Sequence, residues 1–272
     1  MSAPHLSERD LQCIESAQHW REGGVEMLDA PDAGRIAVKG QRAPRSAVLY
    51  RLLKGAGTLL GVPCLNAAPP VGGSAGQAME VARLRALHAA GARVPQVLHV
   101  DGAQGFFVMQ WLGGEHLADV LQRGAPQAAA LWREAGDELL RVHAAGQYLG
   151  QAFARNIIVG EGGRLAGMVD FEDDPAQVMS LEDAQTRNWL EFLHGTLWML
   201  PLPREEMDAT LDAWLAAEPP AVQQRFARAC QRLAWLRRLP KHRRWGRDTV
   251  ALQAAGAAAH RWLLRHPECH SD

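Results

Sequence analysis

The sequence predicts an α+β protein in which a small, β-rich N-terminal lobe is followed by a larger, mostly helical C-terminal lobe. Before residue 110, short apolar runs bounded by glycine, proline or aspartate are typical of strands. After the pair Gly113-Gly114, longer stretches place apolar residues at helical spacing. The segment from Gln110 to Gly114 is therefore predicted to connect the two lobes.

The elements of the small lobe follow from local motifs. Ser7 is a helix-capping residue type, Gly91 is suited to end a helix, and Asp101-Gly102 is suited to a turn between strands. We expect an N-terminal helical extension at residues 1–20 and the small lobe at residues 21–110. Their predicted elements are a helix at 6–20, strands at 25–28 and 35–38, a short helix at 48–62, a loop at 66–76, a helix at 77–90, and strands at 95–100 and 106–112.

The helical lobe is assigned to residues 111–272, with a site-bearing hairpin at residues 148–174. Its longest apolar stretch, Trp189 to Leu202, contains Glu191 and His194 and is too short to span a membrane, which indicates a buried helix. Before that stretch, the predicted elements are helices at 115–122 and 126–145, then strands at 157–159 and 166–169 joined by a glycine-rich link at 160–163.

The composition is that of an ordinary globular protein. The 272 residues are 47% hydrophobic and 22% charged, with a net charge of −1, which by itself indicates no class of partner. The first ten residues are too polar for a signal peptide. The cysteines form no CxxC pair, which argues against a zinc site or a disulfide framework and favours a reducing cytoplasm. They stand at positions 13, 64, 230 and 269.

Positive charge is concentrated between Ala221 and Val250, where Asp248 is the one acidic residue. Two interpretations stay open for this basic run: a solvated helix face, or a surface that meets an anionic partner such as a phosphorylated substrate, the inner membrane or nucleic acid. Nucleic acid is the weaker option, because only Trp235 and Trp245 are interleaved with the charges. The basic residues are Arg225, Arg228, Arg232, Arg237, Arg238, Lys241, Arg243, Arg244 and Arg247.

The hairpin carries a polar residue at each outer end. Asn156 precedes its first strand and Asp170 follows its second. A hairpin brings its outer ends together, so an amide oxygen and a carboxylate are placed to share one hard cation. Mg²⁺ is usually held by one or two such protein groups together with substrate phosphates.

Two further charged residues belong with this pair. Lys39 ends a predicted strand, and Glu80 lies in the first turns of the following helix. A lysine leaving a sheet and an acid on a packed helix can form an ion pair that directs the ammonium group at ATP phosphates. The loop Gly72 to Gly76 is a poorer phosphate site, since it lacks the Gly-Lys-Ser/Thr ending of a P-loop.

In order and spacing, these motifs resemble the kinase-like phosphotransferases over residues 25–200. The branch most similar is that of the bacterial lipopolysaccharide core heptose kinases, with aminoglycoside and choline kinases more distant. The motifs are Val38-Lys39-Gly40, Glu80 in a helix that ends before Val94-Pro95, Phe107 to Gln110, Leu140 to Gly146, Asn156 to Val159, and Val169-Asp170-Phe171-Glu172.

The resemblance implies a two-lobed protein-kinase-like fold and binding of ATP and Mg²⁺. It implies that Lys39 contacts the nucleotide phosphates, that Glu80 holds Lys39, and that Asn156 and Asp170 bind the metal. Gly23-Gly24 would stand in for a glycine-rich nucleotide loop. The adenine would be received by the backbone at Gln110, Trp111 and Leu112.

The sequence departs from the family at Gln151, where family members place the aspartate that acts as general base. A glutamine side chain cannot accept a proton at neutral pH. Three interpretations stay open: Gln151 positions the acceptor, Glu172 or Asp173 acts as the base, or the protein binds nucleotide without transferring phosphate.

The leading hypothesis is an ATP- and Mg²⁺-dependent phosphotransferase acting on a hydroxyl of a sugar, a lipopolysaccharide-like molecule or another small acceptor. Gln151 and Asp170 are its candidate catalytic residues. The alternative is a nucleotide-binding pseudokinase that works through a partner. Nucleotidyl transfer on the same fold is a third hypothesis.

Overall fold

The computed structural model describes residues 6–43, 61–69 and 71–267. The short helix predicted at residues 48–62 lies outside these residues except for its last two positions. In the small lobe the elements are α1 (Glu8–Ser16), β1 (Val25–Ala30), β2 (Gly34–Gly40), α2 (Gly73–Ala89), β3 (Val97–Asp101) and β4 (Phe106–Gln110).

The strands of the small lobe form one antiparallel sheet in the order β1-β2-β4-β3. Successive side chains of a strand point to opposite faces. The side chains of β2 therefore pack into two different hydrophobic cores, one on each face of the sheet. Ile36 and Val38 pack with Ile14 of α1 and with Trp20 on the outer face. Lys39, next in the strand after Val38, is on the opposite face, toward α2.

The helical lobe begins directly after the connector. Its elements are the strands β5 (Glu115–His116), β6 (Ile157–Val159) and β7 (Leu165–Met168), with the helices α3 (Leu117–Gln122), α4 (Ala128–Ala144), α5 (Leu181–Thr196), α6 (Arg204–Ala217), α7 (Pro220–Leu233) and α8 (Arg247–Arg265). The three strands form a second antiparallel sheet in the order β5-β6-β7.

Aromatic side chains fill the centre of the helical lobe. The Trp214 ring lies 4.8 Å from Trp132 and 5.4 Å from Trp189, centroid to centroid. Gly136 of α4 admits this packing, because a Cβ at that position would lie 2.2 Å from the Trp214 ring. The core therefore fixes α4, α5 and α6 against one another.

The predicted α+β architecture with a small β-rich lobe and a larger helical lobe is confirmed. Three local predictions are wrong. The helix predicted at residues 6–20 ends at Ser16, because Ala17 has an extended backbone. Residues 115–122 do not form one helix, because Glu115 and His116 pair with β6 as a strand. The loop predicted at 66–76 ends early, since α2 starts at Gly73, whose amide donates to the Arg42 carbonyl.

Across the part of the chain that the structure describes, no helix has both the length and the apolar character that crossing a bilayer requires.

Candidate active site

A buried ion pair lies between the sheet of the small lobe and α2. Lys39 Nζ is 2.6 Å from Glu80 Oε1, and both side chains are 6% exposed. The antiparallel register pairs Lys39 with Phe107 of β4, which sets the lysine in the middle of the sheet. Since unpaired buried charges are strongly disfavoured, each of these two residues requires the other.

A second carboxylate, from the segment after the hairpin, also contacts this lysine. Glu172 Oε1 lies 3.0 Å from Lys39 Nζ and 2.5 Å from Arg42 Nη1. Burial by itself lowers the pKa of Lys39, but the charges of Glu80, Glu172 and Asp170 outweigh it and raise the pKa above its ordinary value. Lys39 therefore stays an ammonium at neutral pH.

The hairpin brings the ends that carry Asn156 and Asp170 together. Ile157 pairs with Met168, and the Val169 amide donates to the Asn156 carbonyl at 2.8 Å. Asp170 is the one non-glycine residue among those described with a left-handed backbone, at φ 71°. A non-glycine residue in this region is uncommon and is a reason to suspect function.

The donor set of this pair fits Mg²⁺. The amide nitrogen of Asn156 donates to the Gln151 carbonyl at 3.4 Å, which leaves the amide oxygen as the atom able to meet a cation. One amide oxygen and one carboxylate are hard ligands of the kind that Mg²⁺ takes alongside substrate phosphates. In the described residues, no cluster of three or more His, Cys, Asp or Glu side chains is arranged to hold a metal.

Gln151 is buried between two charged side chains. Its Nε2 donates to Asp173 Oδ2 at 2.6 Å, and its Oε1 accepts from Arg155 Nη2 at 3.2 Å. Gly150 lets the two segments approach this closely, since a Cβ there would lie 2.6 Å from the Asp173 carbonyl oxygen. A carboxylate thus lies beside the side-chain amide of Gln151.

Polar side chains of α5 hold the backbone around Gln151. Asn188 accepts from the Leu149 amide at 2.7 Å and donates to the Leu149 carbonyl at 2.9 Å. Glu191 Oε2 accepts from the Ala152 amide at 2.9 Å. Behind them His143 makes contacts with Asn188 and Glu218, so its role is structural. Both flanks of position 151 are therefore fixed by hydrogen bonds.

A small cavity lies beside the Lys39–Glu80 ion pair, and Glu172 and Asp173 also line it. Its lining residues come from β2, the start of α2 and the segment after the hairpin: Lys39, Arg42, Gly72, Gly73, Glu172 and Asp173. The Gly72–Gly76 loop, which lacks a P-loop ending, therefore borders the same cleft as Lys39. Gly23 and Gly24 precede β1 rather than joining two strands, and Gly23 accepts from Arg42 through its carbonyl oxygen.

The predicted adenine-binding connector follows β4. Gln110 is exposed, and its amide donates to the Gln96 carbonyl at 2.9 Å. Leu112 packs toward Gly167 of β7, where a Cβ would lie 3.0 Å from the leucine side chain. The roles of Gln110, Trp111 and Leu112 in binding adenine stay predictions, as do the roles of Lys39, Glu80, Gln151, Asn156 and Asp170.

Sequence reasoning missed the support around these residues. It left Glu172 and Asp173 as interchangeable acids, whereas the structure gives them different partners, Lys39 and Gln151. It also missed Arg187, whose Nε lies 2.8 Å from Glu191 Oε1. The i, i+4 spacing of Arg187 and Glu191 in a predicted helix was a usable indication of that pair.

Comparison with known proteins gives a family match over part of the chain. The model of the phosphotransferase enzyme family (APH) matches residues 66–153, which is less than half of the chain. A solved aminoglycoside-3'-phosphotransferase of type VIII aligns with 93% of this chain and 100% of its own, at 12% identity and a TM-score of 0.39. No functionally curated protein matched the sequence.

The matched segment runs from before α2 to just past Gln151 and so includes Glu80, the connector and His143. It ends before Asn156 and Asp170. The chain is thus similar to the phosphotransferase enzyme family over residues 66–153, while the heptose kinase branch stays a prediction.

Proposed function

We propose that this protein is an ATP- and Mg²⁺-dependent phosphotransferase that acts on a hydroxyl group of a small-molecule acceptor. The observation that carries the proposal is the buried Lys39–Glu80 ion pair at 2.6 Å, with the charge of the Asp170 carboxylate also acting on Lys39. Phosphoryl transfer depends mainly on positioning and on electrostatic stabilisation, and these groups supply both.

Each residue has a definite task in this mechanism. Lys39, kept charged by Glu80, neutralises phosphate oxygens, while Asn156 and Asp170 would hold the metal ion. When bound, Mg²⁺ would offset the negative charge of the phosphates. The connector from Gln110 to Leu112 would bind adenine.

In the proposed reaction, Asp173 rather than Glu172 accepts the proton of the acceptor hydroxyl. Glu172 forms ion pairs with Lys39 and Arg42, and two neighbouring cations disfavour proton uptake by a carboxylate. Asp173 is hydrogen-bonded to the amide of Gln151, at the position where related enzymes carry their base. In this proposal Gln151 orients Asp173 and the acceptor hydroxyl, and the proton passes to Asp173.

Thermal unfolding with ATP and Mg²⁺ tests the nucleotide site. Ligand at about 100 times its dissociation constant should stabilise the folded protein by about 2.7 kcal/mol. We expect this stabilisation in the wild type and in Asp119→Ala, an exposed acid outside the cleft, and its loss in Asp170→Ala. Absence of any metal-dependent stabilisation in the wild type would refute the proposal.

The pseudokinase alternative is favoured by one specific observation, the glutamine at position 151. The pseudokinase alternative has the same nucleotide site as the proposed enzyme, but it predicts that no phosphate is transferred. Labelling with γ-phosphate-labelled ATP and a panel of hydroxyl-bearing acceptors, including sugars and lipopolysaccharide fragments, separates the two. Label on an acceptor supports transfer, whereas label that reaches an acceptor only from α-phosphate-labelled ATP, in a parallel reaction, would indicate nucleotidyl transfer.

We further propose that the basic run lies against an anionic membrane surface on the cytoplasmic side. Residues 240–248 are all exposed, and the nearby Trp235 and Trp245 are 49% and 58% exposed. Exposed indoles beside cations suit a lipid headgroup layer. Arg225 is not part of this surface, because its Nε lies 3.0 Å from Asp183.

A further inference from the structure

A large apolar cavity, partly open to solvent, lies between the helices of the helical lobe and the loop at residues 64–67, separate from the small cavity at Lys39. Its volume is about 430 Å³. This is about three times the ~150 Å³ of an engineered apolar cavity that binds benzene, and it falls within the range of about 300–1,000 Å³ for small-molecule sites. Its apolar wall includes Leu190, Leu193, Leu211, Phe226, Leu233 and Leu236.

The cavity reaches the protein surface. Leu252 of α8 lines it and is 38% exposed. Folded interiors are otherwise close-packed and leave few voids larger than a water molecule. A cavity of this size with an exposed edge is therefore better explained by a ligand than by imperfect packing.

One end of the cavity is polar, and that end adjoins the segment that carries Gln151. Arg187, Glu191 and His194 line it at helical spacing along α5. Glu191 accepts from the Ala152 amide at 2.9 Å, and Phe153, which also lines the cavity, packs against His194 at 6.1 Å between ring centroids. The cavity is thus continuous with the backbone of residues 151–153.

The charges at this end are internally balanced. Arg187 and Glu191 are bonded to each other at 2.8 Å, so neither offers a full uncompensated charge to a ligand. Burial lowers the pKa of His194, which leaves its imidazole neutral at pH 7 and able to share a hydrogen bond with a hydroxyl. Burial also raises the pKa of Cys64, in the loop whose Asn66 carbonyl accepts from Arg187, to about 12, so this thiol remains protonated.

Such a lining selects against polar ligands. A sugar or a polycation carries many groups that would lose water without gaining hydrogen bonds from leucine and phenylalanine side chains. An apolar molecule with a single hydroxyl group loses few hydrogen bonds to water on binding, because its hydroxyl can bond to the polar end of the cavity.

We propose that this cavity binds the phosphoryl acceptor and that the acceptor is an apolar alcohol, with its hydroxyl at the Arg187, Glu191 and His194 end. The inference rests on the proposed phosphotransferase function. The acceptor oxygen bonds to the γ-phosphorus, the bond from the γ-phosphorus to the β–γ bridging oxygen breaks, the hydroxyl proton passes to Asp173, and ADP leaves.

Titration with straight-chain primary alcohols of increasing length tests the ligand class without requiring turnover. Calorimetry and thermal unfolding should show binding that tightens with chain length and then levels off as the cavity fills. Ala255→Phe, which narrows the cavity from α8, should weaken this binding at least tenfold. Ala254→Phe, the adjacent residue on the same helix and outside the lining, should leave it unchanged.

A second narrowing variant guards against misfolding. Ala67→Phe fills the cavity from the loop on the other side and should weaken alcohol binding in the same way. Normal ATP binding with no alcohol binding in the wild type would overturn the ligand class, as would binding that both narrowing variants leave unchanged. Alcohol binding that these variants weaken, in a protein that does not bind ATP, would overturn the proposed function and leave the ligand class standing.

Discussion

Position 151 holds an amide whose two ends are bonded to opposite charges. Gln151 donates to Asp173 and accepts from Arg155, so its orientation is fixed in the absence of any acceptor. An aspartate at this position would bring a second carboxylate against Asp173. Glutamine avoids that repulsion and leaves one carboxylate where two would compete.

Replacing Asp173 should separate chemistry from nucleotide binding. We expect Asp173→Asn to lower the rate of phosphoryl transfer by about 10²–10⁴-fold, the usual effect of losing a general base. The stabilisation by ATP and Mg²⁺ should be retained. Asp174→Asn is the matched control, because Asp174 is bonded to the Tyr148 hydroxyl rather than to Gln151.

The reverse substitution decides between the enzyme and the pseudokinase. If Gln151→Asp created transfer in a protein that otherwise had none, while Asp173→Asn changed nothing, the pseudokinase alternative would be correct. If Gln151→Asp instead lowered transfer, the glutamine would be part of the working site.

At the scale of elements, the outer face of the small lobe depends on how α1 is attached. Asp10 accepts from the amides of Asp32 and Ala33 in the β1–β2 turn and from the amide and hydroxyl of Ser7. One carboxylate therefore completes the cap of α1 and joins that helix to the sheet.

Asp10→Asn should destabilise the protein by about 1–3 kcal/mol at pH 7, since an amide cannot accept all four hydrogen bonds. Burial alone raises the pKa of Asp10, but these hydrogen bonds hold it below its ordinary value of about 3.9. The stabilisation that the Asp10 carboxylate provides is therefore fully present above its ordinary pKa. It is lost as the pH falls through the lower pKa that this group has in the folded protein.

Urea unfolding from pH 7 to pH 3 measures this effect. The difference in the free energy of unfolding between wild type and Asp10→Asn should become smaller as the pH falls toward 3. Glu8→Gln, at an exposed acid in the same turn, should change stability by less than about 0.5 kcal/mol throughout. A difference that stayed constant with pH would rule out the carboxylate as its source.

Sequence patterns located elements well where the determining contacts are local. The cap at Ser7 and the hairpin around Gly160–Gly163 depend on neighbouring residues, and both were placed correctly. The strand at Glu115–His116 depends on β6, some forty residues later, and was predicted as helix.

In the candidate site, too, the sequence predicts what depends on local motifs and misses what depends on contacts between distant segments. The order of Lys39, Glu80, Asn156 and Asp170 was readable from motif spacing. The pairing of Asp173 with Gln151 joins two segments through their tertiary packing, and no periodicity records it. The apolar cavity is built from four helices and a loop, so only the folded chain assembles it.

At the scale of the whole molecule, the basic run and the apolar cavity are neighbours. Leu236 lies next to Trp235, and Leu252 follows the exposed stretch 240–248; both leucines line the cavity. A membrane contact here would bring the edge of the cavity close to the source of an apolar acceptor.

Co-sedimentation with lipid vesicles tests whether the basic run binds an anionic membrane surface. We expect the protein to bind vesicles containing phosphatidylglycerol more tightly than neutral phosphatidylcholine vesicles, with the difference falling as salt rises. The double variant Arg243→Glu and Arg244→Glu should lose at least about tenfold in affinity, on the basis of about 1 kcal/mol for each charge.

A charge-matched control lies in the small lobe. Arg9→Glu with Arg35→Glu makes the same change in net charge at exposed sites far along the chain and should bind as the wild type does. Equal binding of wild type to neutral and anionic vesicles would exclude an electrostatic membrane surface.

The tryptophan cluster of the helical lobe also determines how the protein interacts with light. Trp132, Trp189 and Trp214 lie close enough to exchange excitation energy, so they emit as a coupled group rather than as three separate indoles. Trp111 is the indole in the connector. Because the chain has nine tryptophans, comparing the wild type with Trp111→Phe assigns to Trp111 its share of any change in emission that nucleotide causes.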